Sequence, residues 1–158
     1  MRTKILATTF FAAILLINVN ISANPAGERA IVGNWQTIDD ETNEARSIVR
    51  IFRSSDGLYY GRIVKLLNRE PGDEDPECEN CTGKYAHYAT SDGKVIGTIF
   101  LRGLEFNPDR QRWARGTIFD PEKGREYRSE VWLEDNVLKV RGIHWSGISR
   151  TQEWHPVK

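Results

Sequence analysis

Apolar positions fall into two regimes along the chain. From Ile5 to about Ile21 they run almost unbroken, whereas from Gly33 onward they alternate with polar residues in short segments separated by clusters of Gly, Pro, Asn, Asp and Ser. The second pattern, with period two and many β-branched and aromatic residues, predicts strands. Eight such segments can be read. Gly33–Ile38 ends at Asp39-Asp40-Glu41-Thr42-Asn43, Ala45–Arg53 turns at Ser54-Ser55-Asp56-Gly57, and Leu58–Leu67 is the third. Val95–Phe106 is followed by Asn107-Pro108-Asp109, and Trp113–Phe119 by the strong turn Asp120-Pro121-Glu122-Lys123-Gly124. Glu126–Leu133, Leu138–His144 and Arg150–Val157 complete the set.

Most connections are two to five residues, too short for parallel crossovers, so the strands are expected to meander antiparallel. Eight meandering strands close naturally into a barrel, which removes exposed edges. The fold class expected is therefore all-β, an eight-stranded antiparallel up-and-down barrel. One connection stands apart. Between Leu67 and Lys94 no strand is evident, a length that usually marks a lid, a binding loop or a mobile segment.

The first regime carries Arg2 and Lys4 ahead of the apolar run and Ser22-Ala23 behind it, the layout of a secretory signal peptide over residues 1–23. An uncleaved membrane anchor is the competing reading. Removing those residues from 158 leaves 135, a single domain over 24–158, and takes away two of the 22 basic residues but none of the 22 acidic ones. The resulting net charge of −2, without a basic run, argues against nucleic acid as a partner. No second apolar run is long enough to span a bilayer. The mature chain is expected to be exported, periplasmic or secreted, and not membrane-spanning.

Cys78-x-x-Cys81 lies in the long connection among Asp73, Glu74, Asp75, Glu77 and Glu79. A redox site needs a stabilised thiolate, and these negative charges oppose one, so a thiol-redox role is the minority reading. A zinc site would need further ligands, and His87 is the only nearby histidine, so no metal is expected. A structural disulfide in an exported protein fits best.

Five tryptophans are many for so small a domain. Trp35, just after Gly33, is assigned to closure of one barrel end, with Arg150 from the last strand as the candidate cation stacked on its face. Trp145 is assigned to a rim. Alternation puts Tyr127, Ser129, Val131 and Leu133 on one face of the sixth strand and Leu138, Val140, Gly142 and His144 on one face of the seventh. Small residues at such inward positions would leave room for a ligand, unless neighbours such as Phe119 or Trp132 fill it. Tyr60, Tyr127, Ser129, His144 and Trp145 are the candidate ligand contacts, since a few polar groups in an apolar cavity make a typical small-molecule site. No catalytic triad spacing or phosphate-binding glycine loop is present, so no catalytic residue or cofactor is assigned.

Gly33-x-Trp35 after an exported N-terminus and before a meander resembles the lipocalin signature. Gly33-Asn34-Trp35-Gln36-Thr37-Ile38-Asp39-Asp40, Tyr60-Gly61-Arg62-Ile63-Val64, the Cys78-x-x-Cys81 loop, Gly116-Thr117-Ile118-Phe119-Asp120-Pro121-Glu122-Lys123-Gly124-x-x-Tyr127 and Leu138-Lys139-Val140-Arg141-Gly142 together resemble the bacterial domain-of-unknown-function family numbered 2147. The resemblance implies an exported lipocalin-like barrel, here without the C-terminal helix of typical lipocalins, and with residues 68–93 as the only sizeable candidate lid. The leading functional expectation is a carrier of a small, largely apolar molecule. The alternatives are an envelope interaction or stress protein using the 68–93 loop as its contact surface, and the thiol-redox role. Oligomeric state is left open.

Overall fold

The computed structural model describes residues 25–39 and 42–157. The signal peptide expected over 1–23 lies outside the described residues. A short helix, α1 (Pro25–Glu28), precedes β1 (Gly33–Ile38), β2 (Ala45–Arg53), β3 (Tyr59–Leu66), β4 (Ile99–Asn107), β5 (Arg112–Asp120), β6 (Arg125–Glu134), β7 (Val137–Ile143) and β8 (Ser149–Pro156). Each strand pairs antiparallel with the next and β8 returns to β1, giving the expected closed eight-stranded barrel. The closing seam is short, running from Trp35 opposite Pro156 to Thr37 opposite Trp154.

The sequence pattern starts the fourth strand at Val95; the ladder starts at Ile99. Gly97, at φ +96°, turns the chain there; its N–H donates to the Ile63 carbonyl (2.8 Å) and the Ile63 N–H donates to that of Thr98 (3.0 Å) before the ladder begins.

Strict alternation also fails inside β4 and β5, and bulges are the cause. Gly61 and Arg62 of β3 face Leu101 and Ile99, leaving Phe100 as the extra residue, and both Phe100 and Leu101 are buried. In β5, Trp113 and Gly116 are three apart yet face Val131 and Ser129, two apart, with Arg115 between them at φ +66°. The bulge shifts the phase of the strand. Trp113, Gly116 and Ile118 then share the inner row, and Phe119 turns outward.

The lower end, bounded by the β2–β3, β4–β5 and β6–β7 turns, is plugged. Ile31, Val49, Ile51, Tyr59, Leu104, Val131 and Leu138 are all fully buried there or at mid-height. The segment from α1 to β1 folds beneath them. Trp35 Nε1 donates to the Ile31 carbonyl (2.8 Å), Trp113 Nε1 to that of Glu28 (3.2 Å), and Arg53 pairs with the Glu28 carboxylate (3.1 Å). Burying Ile31 alone contributes roughly 1.5–3 kcal/mol.

Two inward glycines at mid-height serve packing, not a cavity. A Cβ on Gly116 would lie 2.5 Å from the Arg102 carbonyl oxygen and 2.8 Å from Leu104, and one on Gly61 would lie 2.9 Å from Leu101. Leucines occupy the space these residues leave. The expectation that small inward residues open the barrel therefore fails along most of its length.

The 67–98 connection is no lid across the barrel. It is a strap on the outer wall of β4, β5 and β6. A bridge joins Glu77 to Lys94, flanked by hydrogen bonds from Cys78 N–H to the Gly93 carbonyl (2.8 Å) and from Val95 N–H to that of Pro76 (3.0 Å). Cys78 and Cys81 are disulfide-bonded, and both are buried. The Asn80 amide donates to the carbonyls of Pro121 (3.0 Å) and Glu122 (2.9 Å), tying the strap to the β5–β6 turn. A 3₁₀ helix, Gly83–Tyr88, then lays Tyr88 flat on the outward Phe119, with centroids 4.3 Å apart at 11°.

Candidate functional site

The upper end, bounded by the β1–β2, β3–β4, β5–β6 and β7–β8 connections, gathers most of the residues the sequence singled out. Ser129 is the deepest. It sits in register between Gly116 on β5 and Gly142 on β7, so neither flanking residue presents a side chain on its row. It is 3 % exposed, and its Oγ has no hydrogen-bond partner among the described residues. A hydroxyl so placed costs about 1–3 kcal/mol unless something bonds to it.

One row higher, Tyr127 faces Ile118 across the β5–β6 ladder, and both are half-buried. A Cβ on Gly142 would meet Tyr127 Cβ at 3.6 Å and Ile118 Cγ2 at 3.8 Å, ordinary contact distances. His144 follows at the end of β7, its ring 6.2 Å from Tyr127 and 5.2 Å from Trp145. Its Nδ1 is 2.8 Å from Ser146 Oγ and accepts a long contact from the Ser146 N–H (3.4 Å), which fits a tautomer with the proton on Nε2. Tyr127, Ser129 and His144 thus line one mouth with Ile118 and Gly142, and Trp145 stands on its rim.

Two sequence assignments need correction. Tyr60 is on the outer face of β3 near the lower end, stacked on Phe52 (5.9 Å) and donating its hydroxyl to Asp56 (2.6 Å), so it is remote from the mouth. Arg150 does not close the barrel with Trp35. The β1–β8 register sets Trp35 against Pro156 and carries Arg150 to the opposite end, where it borders a cleft of about 530 Å³ with Ile38 and Thr151. Gly33 and Trp35 do belong to the plugged end, where the partner of the Trp35 indole is the Ile31 carbonyl.

A second cleft, of about 840 Å³, crosses the upper rim between the strap and the β7–β8 hairpin. Lys84, Tyr85 and His87 of the 3₁₀ helix form one side, Arg125 and Glu126 at the start of β6 the middle, and His144 with Trp145 the other. Neither cleft is lined by a core side chain. Tyr88 anchors the near wall. Its hydroxyl donates to Glu126 in a short hydrogen bond and lies 3.2 Å from Thr117 Oγ1, while the Arg102 guanidinium stacks 5.4 Å from its ring and donates to the His87 carbonyl (2.8 Å). Burial first, then the bond to Glu126, holds the Tyr88 phenol well above its ordinary range.

Sequence reasoning missed Ile118, because the Arg115 bulge resets its phase, and missed the strap residues. The signal for the latter was Tyr85-Ala86-His87-Tyr88, two tyrosines three apart in an otherwise polar loop. Among the described residues, no group of three or more His, Cys, Asp or Glu side chains is placed to hold a metal ion. His87 Nε2 is 3.9 Å from Glu126, beyond hydrogen-bond reach. The buried disulfide withholds its sulfurs from exchange with another thiol.

A solved structure with a similar fold is that of protein HP1028 from the human pathogen Helicobacter pylori, described as belonging to the lipocalin family. The TM-score is 0.61 at 16 % identity, over 81 % of this chain and 83 % of that one. This likeness shows a lipocalin-like fold. No curated protein sequence gives a significant match. The family described as "Uncharacterized protein conserved in bacteria (DUF2147)" matches residues 33–156, and the chain belongs to that family.

Proposed function

We propose that this is an exported, non-enzymatic binding protein that takes the apolar part of a small molecule into the upper mouth of its barrel. The observation that carries the reading is the buried Ser129 hydroxyl without a partner, beneath Ile118, Tyr127 and Gly142. An apolar mouth with one or two polar groups at its base suits a small molecule carrying a hydrogen-bonding atom at its inner end. The leader-like N-terminus and the disulfide support a site of action outside the cytoplasm. The test is titration of the mature protein with the neutral fluorophore 1-aminoanthracene, with mass spectrometry of whatever co-purifies. Saturable one-to-one enhancement, lost in Gly142→Leu because the new side chain fills the mouth, is the expected result. Enhancement that does not saturate, or that survives Gly142→Leu, refutes it.

A second reading is favoured by the filled lower and middle barrel and by the exposed acidic run Glu70 to Glu74 on the strap. In it the barrel is a scaffold and the acidic strap a contact surface for an envelope partner. Charge reversal at Asp73 and Glu74 abolishes partner capture in that case and leaves the fluorophore titration unchanged.

A further inference from the structure

We propose that the 840 Å³ cleft between the 3₁₀ helix and the β7–β8 hairpin is a separate binding site, outside the barrel, for an organic anion bearing a flat aromatic ring. Its volume lies in the range of small-molecule sites. The charge on its walls is unbalanced. Lys84 and Arg125 have no carboxylate partner among the described residues, and the one acid lining the cleft, Glu126, keeps its charge but has an oxygen occupied by the Tyr88 hydroxyl, so the walls carry a net positive charge. Two cations without a carboxylate partner, one on a side wall and one in the middle of the cleft, recognise a carboxylate, with Arg125 offering the planar fork and Lys84 a point charge.

The ring requirement comes from Trp145. It is 87 % exposed, and its only ring neighbour among the described residues is His144, at 5.2 Å and 46°, so an indole face stands open beside the cations. An aromatic so exposed contributes nothing to the core, and an incoming ring would bury it. On the far side Tyr85 is backed by Phe119 at 5.0 Å, with Lys84 Nζ 4.7 Å from its centroid. The walls are pre-organised. Tyr88 stacked on Phe119, the Asn80 amide on the β5–β6 turn and Arg102 on the His87 carbonyl all fix the strap that carries Lys84 and Tyr85.

The site shares His144 and Trp145 with the rim of the barrel mouth, but its cations, Lys84 and Arg125, are not among the residues that line the mouth, and the experiment separates the two. Calorimetric titrations of the mature protein use 1-naphthoate, its neutral analogue 1-naphthamide, and inorganic phosphate. Naphthoate is expected to bind one-to-one, with naphthamide and phosphate each at least tenfold weaker. The double variant Lys84→Ala/Arg125→Ala should weaken naphthoate at least tenfold while leaving the urea midpoint and the 1-aminoanthracene titration unchanged, and Trp145→Ala should weaken naphthoate at least tenfold while leaving the urea midpoint unchanged. Gly142→Leu should leave naphthoate binding intact. Equal binding of naphthoate and naphthamide, indifference to the double variant, or loss of naphthoate binding in Gly142→Leu overturns the proposal. So does Trp145 emission that shifts with vesicles of phosphatidylcholine and phosphatidylglycerol but not with naphthoate, which makes the hairpin a membrane contact.

Discussion

Gly116 and Gly142 test whether the interior has been read correctly, because they differ in space alone. Both face inward on one cross-strand row, flanking Ser129, and neither lies at positive φ. A Cβ at 116 meets the Arg102 carbonyl oxygen at 2.5 Å and Leu104 at 2.8 and 3.0 Å, where real Cβ atoms essentially never come within 3.0 Å. The oxygen belongs to the β4 backbone and cannot rotate away. Relief requires shifting β4 against β5, and overpacking of this kind costs about 1–3 kcal/mol, with the backbone clash placing Gly116→Ala at the upper end. At 142 the nearest atoms are 3.6–3.8 Å away, an ordinary contact. There the substitution should gain roughly 0.4–1 kcal/mol from the stiffer unfolded chain. The two variants should therefore differ by about 3–4 kcal/mol. With a urea slope of about 1–3 kcal/mol/M, their midpoints should separate by at least about 1 M, with Gly116→Ala below the parent and Gly142→Ala at or above it. Urea titration followed by tryptophan emission measures both. Coincident midpoints would mean that the mid-barrel is loose, and that the assignment of Gly116 to packing is wrong.

Three further perturbations probe the plug and the strap. Trp35→Ala should cost about 3–5 kcal/mol, because it removes a buried indole and strands the Ile31 carbonyl, and calorimetric melting reads it directly. Tyr88→Phe should cost about 1.5–3 kcal/mol by deleting the bond to the Glu126 carboxylate. It should also flatten the alkaline limb of stability. Because the folded phenol titrates above its ordinary value of 10.0, its contribution is fully present below about pH 10 and is lost as the pH rises beyond it. A parent and variant with parallel denaturation curves between pH 9 and about 11.5 would contradict this. Replacing both Cys78 and Cys81 by serine should cost about 2 kcal/mol on the chain-entropy estimate for so short a loop, with faster amide exchange confined to the strap; exchange spreading into β1 or β8 would show a wider role.

Where each side chain acts depended on features that sequence displays unevenly. The eight strands were legible because period-two alternation survives in most of them, and the short turns forced neighbours to pair. The mouth was legible in Tyr127, Ser129 and His144 because β6 and β7 pair without irregularity from Arg128 to Glu134. Arg150 was misplaced although strand direction decides the matter: in an antiparallel meander of eight strands the start of β8 lies beside the end of β1, so it is the end of β8, at Pro156, that meets Trp35. Tyr60 was misplaced for a simpler reason. Its neighbours Tyr59 and Gly61 already occupy the inner row of β3, and a residue between them must face out.

The Arg115 bulge links the barrel to the site on its wall. Strict alternation from Trp113 would carry Thr117 and Phe119 inward and leave Ile118 outside. The extra residue reverses that, so Ile118 lines the mouth while an aromatic ring is left on the outer surface of β5. An exposed phenylalanine on a sheet face invites cover, and the strap supplies it with Tyr88 and Tyr85. Covering Phe119 brings Glu126 within reach of the Tyr88 hydroxyl and sets Lys84 and His87 beside Arg125. One inserted residue in β5 therefore does two things at once: it gives the mouth its apolar wall, and it provides the anchor on which the outer cleft is built.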